Sequence, residues 1–143
     1  MGFLDKYSSQ TLALLRVVAG LCFMEHGCMK LLHFPSAAMP GSLPPLIMAA
    51  GAIELIGGAL IVLGLFTKLA AFIASGEMAV AYFSAHVFGM MGPPGAKPNF
   101  DPAANHGAEA ALYAVIFLYL AAAGGGSIAV DAFLGRTRGL DPA

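Results

Sequence analysis

At 143 residues the chain is long enough for one domain and short for two. Apolar residues make up 59 % of it and charged residues only 10 %, against about a quarter in an ordinary soluble domain, so a water-facing surface cannot be built and most of the outside is expected to face lipid. The formal net charge of −1, with no basic run, argues against nucleic acid as a partner.

Four apolar stretches follow in order, at about 10–32, 46–66, 69–88 and 107–124. Each is near the ~20 residues that cross ~30 Å of hydrocarbon as a helix. Nothing alternates with a period of two, as barrel strands would, and lipid cannot satisfy an open sheet edge. The expectation is an all-α chain, with residues 1–143 as one transmembrane domain.

The first stretch lacks a small-x-small cleavage site and is expected to remain as a helix. Its cysteines, Cys22 and Cys28, are separated by about 9 Å of helical rise, too far for a disulfide within one helix, and neither belongs to a C-x-x-C motif. Arg16, Gly20, Phe23, Gly27 and Lys30 recur at steps of four and three residues and fall on one stripe. Glycines on such a stripe admit a neighbouring helix closely, so the stripe is expected to face inward with a cation toward each end. His26 flanks it, and Glu25 points nearly opposite.

The loop 33–45 carries Pro35, Pro40, Pro44 and Pro45, the last two suited to opening the second helix. Glu54 lies about 12 Å inside that helix, near mid-depth. Gly57, Gly58 and Gly64 read as packing residues, and Thr67 and Lys68 make a tight connection to the third stretch, which carries Glu77 and His86. A loop rich in Gly and Pro at 90–105 precedes the fourth stretch. There Glu109, Tyr113, Leu120 and Gly124 share one side, and a tail at 127–143 has room for one or two amphipathic turns.

Short connections make neighbouring helices antiparallel, which predicts an up-down-up-down four-helix bundle. Lys6, Lys68, Arg136 and Arg138 fall on one side and Lys30 and Lys97 on the other, placing both termini in the cytoplasm and the Pro-rich loops outside.

Ionisable groups inside a bilayer cost several kcal/mol unless paired or wetted, and each is a functional candidate by default. Two polar layers are expected: an inner one pairing Arg16 with Glu77 or Asp131, and an outer one gathering His26, Lys30, His86 and Glu109, with His106 at the rim. Glu54 lies between them. Glu54, Glu109 and His86 are the candidates for chemistry; Arg16, His26, Lys30, Glu77 and Tyr113 are the candidates for ligand binding. No metal site is assigned, although His26, His86 and His106 would be the residues to offer one. Against these stand plainer roles: an Arg16 ion pair that fixes helix register, a Lys30 that snorkels to headgroups, and histidines bonded to backbone at the interface. The chain has no P-loop, no G-x-G-x-x-G after a strand, no H-E-x-x-H and no nucleophile elbow. Its histidines cluster toward one end, which disfavours a transmembrane haem pair.

Several segments in order resemble the DoxX family of small bacterial inner-membrane proteins: Leu15-Arg16-Val17-Val18-Ala19-Gly20, His26-Gly27-Cys28-Met29-Lys30-Leu31 and Phe34-Pro35 at the start; Glu54-Leu55-Ile56-Gly57-Gly58 and Gly64-Leu65-Phe66-Thr67-Lys68 in the second helix; Met78-Ala79-Val80-Ala81-Tyr82-Phe83 with His86 in the third; and Asn105-His106-Gly107-Ala108-Glu109, Tyr113 and Asp131 at the close. One departure is visible, since the family's tight Asn-Gly-Gly-Glu is here drawn out to Asn105-His106-Gly107-Ala108-Glu109. The resemblance implies a four-helix bundle in the inner membrane. Its name comes from a subunit of a thiosulfate:quinone oxidoreductase, and relatives are linked to redox complexes or to metal-responsive gene clusters. The leading expectation is therefore a quinone-linked redox component, with quinone as cofactor or ligand, a redox partner protein, the lipid bilayer and association with further copies as its partners. A non-enzymatic scaffold or chaperone and a metal-handling protein are the alternatives.

Overall fold

The computed structural model describes residues 2–37, 41–90, 93–95 and 97–137; Pro40 and Arg138 lie outside them. Among the described residues the chain is all-α, with five helices and no strand. Helix α1 is Ser8–Leu31, entered through a 3-10 turn at Asp5–Tyr7. Helix α2 is Pro45–Leu63, with Pro45 at its first position, where the missing N–H costs nothing. Helix α3 is Thr67–Ala81 and continues as a π-helical segment, Tyr82–Val87. Helix α4 is Ala108–Ala123, and α5, Val130–Thr137, is the short helix of the tail. A second π segment, Ile53–Gly57, interrupts α2 at mid-length.

The helix that runs Asp5–Leu31, with 27 residues, and the helix Pro45–Leu63, with 19, are long and apolar enough to cross a membrane. Helix α4 is apolar but has 16 residues, about 24 Å of rise. The second helix ends a turn earlier than the apolar run suggests. Gly64 takes a left-handed φ of 70°, which a side chain resists, and its N–H closes on the Ile61 carbonyl.

Helices α1 and α2 run antiparallel in close contact. Gly20 faces Ile61 and Val62, while Gly27 faces Gly51 and Leu55 near the other end. At Gly58 a Cβ would come within 2.7 Å of the Met24 Cβ, so only glycine admits this approach. Helices α3 and α4 form a second extensive pair. Ser75 Oγ donates to the Ala114 carbonyl at 2.7 Å, and Gly107 packs on Tyr82 and His86, so this pair is antiparallel too. Helix α2 meets α3 through its π segment and last turns, and α1 touches α4.

Phe23, Ile61, Ala71, Ala74, Phe117 and Leu120 fill the centre. Phe23 meets Phe117 edge-on at 4.8 Å, and Tyr113 stacks on Phe117 at 5.4 Å. The stripe Arg16, Gly20, Phe23 and Gly27 is buried along α1. Outside are Leu14, Val18, Ile56, Phe72, Val80, Leu112 and Val115, apolar side chains where a soluble protein would carry charge.

Candidate functional site

The polar groups separate into two ends. At the end where α3 begins, Arg16 is buried, with 2 % of its surface exposed. Its Nε donates to the Gly125 carbonyl at 3.1 Å and its Nη2 to the Ile128 carbonyl at 3.0 Å. Nη1 donates to the carbonyls of Ile61 and Val62. Those two belong to the last turn of α2, where carbonyls have no partner within the helix and the dipole favours a cation. One guanidinium thus closes α2 and pins the turn that follows α4. Asp131 works beside it. Its two carboxylate oxygens each accept a backbone N–H at 2.8 Å, from Phe66 and from Thr67, and so cap the start of α3 from a distant part of the chain. Partial burial works against the charge on Asp131, but the hydrogen bonds from Thr67 and Phe66 and the nearby Arg16 hold the carboxyl below its ordinary value.

This corrects the expected inner layer. Arg16 is paired with carbonyls, not with Glu77, and Asp131 acts on it across space rather than as a direct ion pair. The ion pairs found among the described residues are Lys30–Glu54 and His26–Glu109.

At the opposite end, α1 to α4 enclose a cavity of about 580 Å³. His26, Lys30, Glu54, Glu77, His86, Glu109 and Tyr113 all line it, among apolar walls that include Phe23, Ile47, Ile53 and Met78. Arg16 and His106 do not reach it; His106 is exposed, in the turn before α4, with a φ of 58°.

Lys30 Nζ donates to Glu54 Oε1. Glu54 is 2 % exposed, and its Oε2 has no hydrogen-bond partner. The same holds for Oε2 of Glu77, which lies within electrostatic reach of Glu54 and Lys30. Two carboxylate oxygens therefore stand unpaired on residues that line one cavity, each able to accept a hydrogen bond when ionised or to donate one when protonated. His26 Nδ1 contacts the Cys22 carbonyl at 2.9 Å, and since a carbonyl only accepts, that nitrogen carries a hydrogen. Its Nε2 faces Glu109 Oε1 at 3.7 Å, an approach that is attractive only if a proton lies on one of the two. The Tyr113 hydroxyl lies beside Glu109 and Cys22. His86 Nδ1 donates to the Asn105 carbonyl at 3.1 Å, tying the entry of α4 to α3. Here the drawn-out Asn105-His106-Gly107 turn finds its place: Asn105 Oδ1 accepts the Gly107 N–H at 2.7 Å, and a Cβ on Gly107 would strike His86 and Tyr82.

Both π segments carry a cavity residue, Glu54 in Ile53–Gly57 and His86 in Tyr82–Val87. A wide i→i+5 turn re-aims the side chains that follow it, and such turns concentrate at functional sites. Sequence reasoning does not find them, because neither segment holds a proline or any other residue that demands the wide turn. Among the described residues no trio of His, Cys, Asp or Glu side chains stands close enough to hold a metal ion.

The DoxX family pattern matches residues 11–87, the stretch that carries Arg16, His26, Lys30, Glu54, Glu77 and His86. An uncharacterized protein of Haemophilus influenzae is 44 % identical over 135 residues, covering 92 % of this chain and 96 % of that one. No solved structure matches the chain significantly. With a family match over more than half its length and a relative aligned almost end to end, the chain belongs to the DoxX family, and that place, with two helices of membrane-crossing length, makes it a membrane protein.

Proposed function

We propose that the chain is a multi-pass inner-membrane protein whose cavity binds an apolar, quinone-class ligand as part of a redox system. In this reading α1 to α4, with α3 extended by its π segment, cross the bilayer as an up-down-up-down four-helix bundle. Both termini are cytoplasmic, and the cavity lies in the outer half. The observation that carries the reading is the pair of unpartnered oxygens, Glu54 Oε2 and Glu77 Oε2, on two residues that line the cavity. A volume of about 580 Å³ falls within the ~300–1,000 Å³ of small-molecule sites. Such sites pair apolar walls with a few convergent polar groups.

The residues suit a ring that bears carbonyl oxygens. Lys30 and the Tyr113 hydroxyl are donors, and Glu54 and Glu77 become donors when protonated. Phe23, Ile47, Ile53 and Met78 offer apolar faces to the ring. A quinone, when bound, supplies the capacity to accept electrons. No electron carrier is evident in the chain, so electrons are expected from a redox partner protein. The chain's own part is to orient the head and hold protons near it: Glu54 and Glu77 at the floor, His26 and Glu109 toward the outer rim.

The test is native mass spectrometry of the protein released gently from its own membrane, wild type beside Glu77→Gln and Glu54→Gln. A quinone mass on the wild type, lost in Glu77→Gln while the melting temperature holds, is the expected result. Glu77→Gln is the cleaner variant because it leaves the Lys30–Glu54 pair in place. A wild-type protein that carries no such mass would sink the reading.

A further inference from the structure

Beyond the floor of the cavity, along the seam between α2 and α3, lies a second hollow of about 250 Å³. Its walls are Ala52, Ile56, Gly57 and Leu60 of α2 with Ala70 and Ile73 of α3, and none is ionisable. Ile53 borders both hollows. Gly57 stands at their junction. A Cβ built there meets within 4 Å only the ring edge of Phe23, at 3.9 Å, and Phe23 is itself a wall of the upper cavity. The two hollows are thus neighbours along one track, polar at one end and wholly apolar at the other. From Ile53 to Leu60 the apolar part runs about 10 Å along α2.

The seam is also open at the side. The first eight residues of α2, Pro45–Ala52, pack mainly on α1, and α3 is met by the π segment and last turns instead. The two helices therefore part toward the end that holds the cavity. Leu46, Val80 and Met90, all exposed, line the opening. An apolar rim of this kind suits passage of an apolar molecule from lipid better than passage from water.

We propose that the ligand is a long-tailed quinone that enters sideways from the outer leaflet between α2 and α3, with its ring in the polar cavity and its tail in the groove walled by Ile56, Gly57 and Ile73. This rests on the reading of the cavity as a quinone head site. It adds a specificity element, selection for the tail, which the head site alone does not supply.

The experiment measures binding of two probes to the purified full-length protein in detergent: a tailless benzoquinone and the same ring with a decyl tail. Gly57→Leu and Ala52→Phe fill the groove and leave the polar residues untouched. The expected result is a wild-type preference for the tailed probe that falls at least about tenfold in both variants, as loss of several buried methylenes requires, while tailless binding stays unchanged. A preference that survives groove filling, or equal weakening of both probes, overturns the tail groove. If tailless binding by the wild type persists in that case, the head site stands. Failure of the wild type to bind either probe overturns the head site and the groove with it. Melting temperatures check the fold of each variant. If both groove variants unfold, Ile73→Trp, on a half-exposed position of α3, covers the groove from outside and decides by the same ratio.

Discussion

Lys30 and Glu54 show how much a single partner matters. At 2 % exposure the Glu54 carboxyl is met directly by the Lys30 ammonium. Removing one member of such a pair typically costs about 3–5 kcal/mol, whereas replacing both with neutral groups of similar size is often neutral or stabilising. Lys30→Met is accordingly expected to lower stability by about that amount, and Lys30→Met with Glu54→Gln to regain more than half of it. Thermal unfolding of the four proteins of the cycle, in one detergent, checks this; additive losses would show that the pair is not coupled. The burial of Arg16 is legible from its place on a glycine-marked stripe. Its partners are not, because carbonyls at a helix end exist at every residue and carry no mark in the sequence. A search for an acid to match the arginine leads to Glu77 or Asp131; Glu77 lines the cavity instead, and Asp131 acts on Arg16 from its place at the cap of α3.

Helix ends and irregular turns decide the next level. Asp131, in the tail helix, caps α3, and its depressed carboxyl gives this contact a sign. The stabilisation is full above the unfolded value of about 4 and is lost as pH falls through the lower folded value. Asp131→Asn is expected to cost about 1 kcal/mol at neutral pH, as other cap losses do, with the gap to wild type closing in strong acid. Melting curves of both proteins from neutral to acid pH measure it; a gap that widens with acid would contradict the assignment. The positions of the helices could be read to within a few residues, since apolar runs bounded by Pro and Gly leave few alternatives. The π segments could not. They place Glu54 and His86 through a local widening that depends on how α2 and α3 meet their neighbours, and that information is not local in sequence.

For the whole molecule, the sequence makes the all-α class plain and says less about the shape of the cavity. Seven of the eight residues singled out from their charge, hydroxyl and depth line one space, yet its size and its side opening arise from the divergence of α2 and α3, which no single residue announces. The topology proposed above has a direct consequence for labelling. With Cys22 and Cys28 replaced by serine, a cysteine at Asn99 is expected to react with a membrane-impermeant maleimide on intact cells, and one at Lys68 only after the cells are opened. Both positions are exposed, so failure to react would not arise from burial. Reaction at Lys68 in intact cells would invert the orientation and move the cavity to the cytoplasmic leaflet.

The carbonyl cage around Arg16 also bears on how the protein is made. Two of its four acceptors, Gly125 and Ile128, are synthesised more than a hundred residues after the arginine itself. Until they emerge, the guanidinium sits among apolar helices with only the end of α2 to answer it. A chain cut short after Ala123 would contain α1 to α4 and still leave the guanidinium with two of its four carbonyl acceptors missing. The turn after α4 is thus needed to complete the ring of acceptors around Arg16.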